Sequence, residues 1–134
     1  MSMADQTPLT HSFHVKSTGA EVLADIDLSG KTAIVTGGYS GIGLETVRSL
    51  ASKGARVIVP VRTPQKATAS LADVDGDIHT APLDLADIAS VRAFSDQMAG
   101  ELSQIDILIN NAGIMACPEA RVGPGWESQF GVNH

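Results

Sequence analysis

Three well-spaced glycines, Gly37, Gly41 and Gly43, stand between an apolar run rich in β-branched residues, Lys31 to Thr36, and a segment with helical periodicity. That arrangement is compatible with few folds. Gly37 lets a strand turn sharply without a Cβ clash, Gly41 lets the backbone come close to a bulky anion, and Gly43 lets the next helix pack tightly on the sheet. Unpaired N–H groups at the helix start can then receive negative charge, so the turn reads as a phosphate-binding turn opening a dinucleotide fold. Turns and linkers are also glycine-rich, and the flanks decide between the readings. Upstream, residues 31–36 have the composition of a buried strand. Downstream, Gly43, Val47, Leu50 and Ala51 recur at i, i+4, i+7 and i+8, and Gly54 follows as a helix stop.

From residue 30 onward strand and helix patterns alternate: strand 31–36, helix 42–53, strand 56–61, a short helix at about 64–71, strand 78–83, helix 87–102 and strand 106–110. Such alternation predicts an α/β fold, a Rossmann-like doubly wound parallel sheet of which about four strands with flanking helices are present. In the second long helix, Ile88, Val91, Phe94, Met98 and Leu102 recur at steps of three or four and predict one buried face. Residues 1–29 are polar and unpatterned apart from a short helical stretch around Ala20 to Ile26. They read as an extension packed loosely on a dinucleotide domain of residues 30–134. Gly123-Pro124-Gly125 breaks the chain before a last helical start at about Glu127.

With 134 residues, 43% of them hydrophobic, the chain can hold one core and is too short for two ordinary domains. A net charge of −6 without any basic run argues against nucleic acid or an anionic membrane surface as partner. No apolar stretch approaches the roughly 20 residues of a membrane span, and Met1 to Gln6 lack a secretory pattern, so a cytoplasmic location is expected. Cys117 is the only cysteine, and His11, His14, His79 and His134 show no ligand spacing. No metal site is expected.

Thr36-Gly37-x-x-x-Gly41-x-Gly43, Asp84-Leu85 after the third strand and Asn110-Asn111-Ala112-Gly113 after the fourth together resemble the short-chain dehydrogenase/reductase family, over about residues 29 to 134. The similarity is to its retinol-dehydrogenase-like and WW-domain-oxidoreductase-like members. The resemblance implies that a nicotinamide dinucleotide lies along the turn from Gly37 to Gly43, against Ser40 and Ile42. It implies further that Asp84, with Leu85 beside it, meets the adenine edge. Asn110, Asn111, Ala112 and Gly113 would stabilise the sheet and line the cofactor riboses. Asp84 as a mere helix cap and Asn110 as a mere strand-end residue are the alternatives.

Cofactor choice is argued from the end of the second strand, where an acidic residue would hydrogen-bond the ribose 2′-hydroxyl of NAD. Here Val61 holds that position and Arg62 follows it. A guanidinium there can pair bidentately with a 2′-phosphate, which predicts NADP(H) preferred over NAD(H). A solvated arginine before Thr63-Pro64 is the other reading.

Family members complete catalysis with a serine, a tyrosine, a lysine four residues after it, and an asparagine. Only the asparagine finds a match: Val132-Asn133-His134 resembles the segment whose asparagine holds a water of the proton relay, and the serine, tyrosine and lysine are absent from this chain. The sole tyrosine, Tyr39, lies in the glycine turn with Gly43 four residues on, where it either covers the pyrophosphate or is a tolerated loop residue. Trp126 and Phe130 are expected to pack the last helix.

The resemblance therefore implies the cofactor-binding half of a truncated oxidoreductase that moves hydride between NADP(H) and a small alcohol or carbonyl compound, inactive alone and homo-oligomeric only in its full-length form. The alternative is a non-catalytic dinucleotide-binding module. A fourth strand ending at Ile105 to Ile109 would leave an apolar sheet edge, which favours the first reading and predicts marginal stability and poor solubility.

Overall fold

β-branched and small apolar residues form the centre of the molecule: β1, Thr32–Val35, and β2, Arg56–Val61, lie side by side and parallel with Thr32 opposite Arg56 and Ile34 opposite Ile58. The computed structural model describes residues 11–134. The part of the expected extension that falls on residues 1–10 lies outside them. β3, Ile78–Pro82, pairs with the outer side of β2, and β4, Ile107–Ile109, pairs with the other side of β1. The order β3-β2-β1-β4 is wholly parallel. It is the Rossmann-like doubly wound arrangement expected from the alternation.

Four helices accompany the sheet: α1, Gly19–Val22; α2, Gly41–Ala51; α3, Pro64–Leu71; and α4, Ile88–Glu101. Strand side chains alternate between faces. Ala33, Val35, Val57, Val59 and Val61 therefore meet Val47, Leu50 and Ala51 of α2 and Ala67 of α3. Ile34 and Ile58 point the other way and meet Met98 of α4. Helices thus cover both faces, which is what near-continuous apolar strands require.

The stripe expected along α4 is only partly buried. Met98 is buried, with Phe94 and Leu102 packed beside it, whereas Ile88 is exposed. The buried sheet residues that α4 packs against are Ile34, Ile58 and Ala81, a narrow platform for a 14-residue helix. The N-terminal stretch also differs from expectation. α1 is shorter, held by a capping box between Thr18 and Glu21. Leu23 and Leu28 pack on the core, and the Leu28 N–H donates to the Lys53 carbonyl at 2.8 Å.

Beyond β4, a hairpin not expected from the sequence joins β5, Arg121–Val122, to β6, Trp126–Glu127. Gly123 and Gly125 take the positive φ values of +55° and +110° that its turn needs. The last helix, α5, Ser128–Asn133, starts where expected, because the Glu127 carboxylate caps it by accepting from the N–H groups of Gln129 and Phe130. Trp126 keeps its ring against Gly131 of α5, as expected, although both it and Phe130 remain exposed, and Phe130 stacks on His134.

Two features bear on stability. β4 is a sheet edge, with Ile105 48% and Leu108 59% exposed. At its start Asp106 grips β1: the carboxylate accepts from the Thr32 N–H at 2.9 Å and from Lys31 Nζ at 3.0 Å. The Thr32 N–H bond, then the Lys31 bond, hold the Asp106 carboxyl below its ordinary value. A depressed folded-state pKa contributes stability that is present above the ordinary aspartate value and is lost as pH falls through the folded-state value. Asp106→Asn is therefore expected to destabilise the chain near neutral pH and to lose that deficit progressively below about pH 4. Denaturant midpoints of both proteins against pH test this, and a pH-independent difference would refute the ionic contribution.

Candidate functional site

The site grows from the carboxyl end of β1. Thr36, buried there, locks two strand ends together. Its N–H donates to the Ile109 carbonyl at 3.0 Å, its hydroxyl accepts from the Ala112 N–H at 3.0 Å, and its carbonyl accepts from Asn111 Nδ2 at 2.9 Å. The loop after β4 is thereby fixed against the glycine turn. Gly37 has φ +65°, and a Cβ on it would stand 3.1 Å from both Ala112 Cα and Asn111 Nδ2. Any larger residue there would push the two loops apart.

Close packing of helix on sheet, expected of Gly43, falls on Gly38 instead. A Cβ on Gly38 would stand 2.7 Å from Val47 Cγ2 of α2, 3.0 Å from the Val35 carbonyl and 3.1 Å from Val59 Cγ1 of β2. Gly43 faces inward to the turn itself, where an added Cβ would meet the Gly37 carbonyl and the Asn111 amide. Gly41 combines φ +52° with open space on its Cβ side, so the backbone at the head of α2 is bare. Ser40, the N-cap, is extended and makes no side-chain cap bond. Among the described residues, the first N–H groups of α2 therefore lack a side-chain acceptor.

Three further elements bring residues to the same end of the sheet. β2 contributes Pro60, and the bend directly after it contributes Arg62. The Arg56 N–H donates to β1 and the Val57 N–H to β3, so by alternation Pro60 faces β1. β1 pairs with β2 only as far as Ile58, and the missing N–H of Pro60 costs no ladder bond there. Arg62 is exposed and makes no ion pair among the described residues. After β3, Leu83 is buried, and Asp84 closes a tight turn by accepting from the Ala86 N–H through Oδ1 at 2.9 Å. The capping alternative for Asp84 is thus present in part, although the cap of α4 itself is Asp87.

The result is a cleft of about 420 Å³ at the carboxyl ends of β1 and β4. This is where the strand order reverses, the usual ligand position in such sheets. Of the residues singled out from the sequence, Gly37, Tyr39, Ser40, Ile42 and Gly43 line it from the turn, and Arg62, Asp84 and Leu85 from the neighbouring loops. Asn111, Ala112 and Gly113 line it from beyond β4. Gly41 borders the opening without lining it, and Asn110 is exposed outside it. Among the described residues, Arg62 and Asp84 are the only charged ones in the lining.

Asn133 does not line the cleft either. Its side chain accepts from the Ile114 N–H and donates to the Ile114 carbonyl, both at 2.8 Å, and so holds the loop after Gly113. Gln129 holds the same loop by accepting from the Ala116 N–H at 3.1 Å, where Ala116 has φ +53°. Sequence reading also missed Thr36 as a lock and Val122 and Val132 as lining. A β-branched hydroxyl between strand and glycine turn was a readable signal for Thr36, whereas the two valines reach the cleft only through the hairpin and α5.

Among the described residues no cluster of three His, Cys, Asp or Glu could hold a metal ion, and no helix is long and apolar enough to cross a membrane.

Comparison with known proteins agrees with this geometry. A family model described as short chain dehydrogenase matches residues 31–133. Human retinol dehydrogenase 12 is 40% identical over 121 residues, which are 87% of this chain and 38% of that protein's length. A crystal structure of an uncharacterised protein from Mycobacterium paratuberculosis superposes with TM-score 0.76 at 43% identity, over 88% of this chain and 41% of that one. The RhlG/NADP active-site complex of Pseudomonas aeruginosa superposes with TM-score 0.67 at 32% identity, over 80% of this chain and 43% of that one. The chain spans well under half the length of the relatives it matches.

Proposed function

The chain belongs to the short-chain dehydrogenase/reductase family, and from that membership we propose that it is the dinucleotide-binding part of an oxidoreductase that uses NADP(H) in preference to NAD(H). The observation that carries the reading is the bare head of α2. Its first N–H groups, with no side-chain acceptor among the described residues, open beside Gly41 onto a cleft where Arg62 is the one cation among those residues. Those donors fit a pyrophosphate.

In this reading residues 30–134 are the binding domain. The turn from Gly37 to Gly43 takes the pyrophosphate, and Arg62 takes the 2′-phosphate as a charge-assisted pair. Asp84, whose Oδ1 is occupied by its own turn, offers its second oxygen to the adenine amino group. The backbone of Asn111 to Gly113 runs along the riboses, held rigid by Thr36. Asn133 acts through Ile114, setting the loop that borders the cleft next to Gly113. A nicotinamide bound here supplies hydride chemistry between an alcohol and its carbonyl form. The reading includes a cytoplasmic location.

NADPH is expected to bind the purified chain more tightly than NADH in a calorimetric titration. The RhlG/NADP complex among its structural relatives supports NADP as the cofactor class. Absence of binding by a folded, monodisperse sample would overturn the dinucleotide reading, and equal affinities would overturn the preference.

A further inference from the structure

We infer that Gln129 is a positioning residue: by holding Ala116 in a left-handed backbone conformation it sets the wall of the cleft that faces the nicotinamide half of the dinucleotide. The inference rests on the dinucleotide reading above. Arg62 and Asp84 line the cleft from the loops after β2 and β3, whereas Ile114, Val122 and Val132 line it from segments beyond β4. The order β3-β2-β1-β4 puts the loops after β2 and β3 on one side of β1 and the loop after β4 on the other. With the adenosine beside Arg62 and Asp84 and the pyrophosphate at the head of α2, the second nucleoside meets Ile114, Val122 and Val132.

That wall depends on a strained loop. Ala116 has φ +53°, a region that residues with a Cβ rarely adopt and that persists only where the surroundings impose it. Ala116 is exposed and Met115 is 87% exposed, so core packing does not impose it. The hydrogen bond from the Ala116 N–H to Gln129 Oε1, at 3.1 Å, does. Gln129 is itself fixed, half-buried in the first turn of α5 with its N–H donating to Glu127 Oε1 at 3.0 Å.

The loop is thus fastened to α5 at three successive points. Asn133 holds both peptide groups of Ile114, Gln129 holds Ala116, and Cys117 Sγ lies 3.7 Å from Ser128 Oγ. Ile114 belongs to the loop and Val132 to the helix, so these fastenings set the separation of two lining residues. Without the Gln129 acceptor, Ala116 relaxes to a negative φ, and the chain two residues from Ile114 turns with it. The loop then spends less time in the arrangement that receives the ligand.

Calorimetry with NADPH and with adenosine 2′,5′-bisphosphate, which lacks the nicotinamide half, on the wild-type chain, Gln129→Met and Gln129→Glu tests the role. Methionine keeps the length of the side chain but offers no strong acceptor, whereas glutamate keeps an oxygen for the Ala116 N–H. Gln129→Met is expected to bind NADPH about fivefold more weakly, the equilibrium worth of one neutral hydrogen bond, with the bisphosphate unchanged. Gln129→Glu is expected to restore NADPH affinity at salt that screens its charge. Unchanged NADPH affinity in Gln129→Met, an equal loss for both ligands, or no rescue by Gln129→Glu overturns the role of Gln129 and leaves the dinucleotide reading standing. A folded wild-type chain that binds neither ligand overturns both.

Discussion

Arg62→Glu is expected to weaken NADPH binding by about a hundredfold or more while NADH loses little. Hydrogen bonds to charged groups contribute about 1.5–3 kcal/mol each, and a guanidinium can make two to one phosphate. Among the described residues no other cation lines the cleft to take over. The new carboxylate adds repulsion against the 2′-phosphate, whereas a carboxylate near the end of the second strand can accept from the ribose 2′-hydroxyl of NADH. The variant thus separates the two cofactors, with nearly all of the loss falling on NADPH. Arg62 is exposed, so the contrast should shrink with added salt. Titration of both proteins with both cofactors measures it, and equal weakening of NADPH and NADH would remove Arg62 from the 2′-phosphate site.

Gly38→Ala is expected to cost about 2 kcal/mol of stability, in the range of overpacking a close-fitted core. The added methyl would meet Val47 Cγ2 at 2.7 Å, the Val35 carbonyl at 3.0 Å and Val59 Cγ1 at 3.1 Å. Val47 and Val59 are fully buried and stiff at χ1, and the carbonyl belongs to the central strand. Relief requires α2 to lift from the sheet, which would also displace the N–H groups at its head. Dinucleotide affinity should therefore fall together with the denaturant midpoint. A variant as stable as the wild type would show that α2 moves away from β1 at little cost.

Gly38 and Gly43 show where sequence reading reaches its limit. The spacing of the glycine turn announced a sharp strand-to-helix connection, and the connection is there. Which glycine packs the helix on the sheet and which keeps the turn closed depends on the approach of Val47, Val59 and Asn111, residues from three separate elements. The α4 stripe makes the same point. Periodicity identified its apolar face, but burial depended on how much sheet lay beneath it. Arg62 was legible as a candidate because it directly follows the second strand; its standing as the only cation of the cleft among the described residues was not.

Order and type of the main elements, the parallel sheet and the glycine turn were determined by the sequence itself. Hydrophobic period, β-branching and glycine's access to positive φ are properties of short stretches. β2 and α3 run over the residues expected of them. Only the tertiary structure decided that Thr36 and Asn111, 75 positions apart, lock β1 to β4. It likewise seated Asn133 on Ile114 and turned Gly123-Pro124-Gly125 into a hairpin that brings Val122 to the cleft. Such pairings form between groups distant in the chain, and no local pattern specifies their distance or partner.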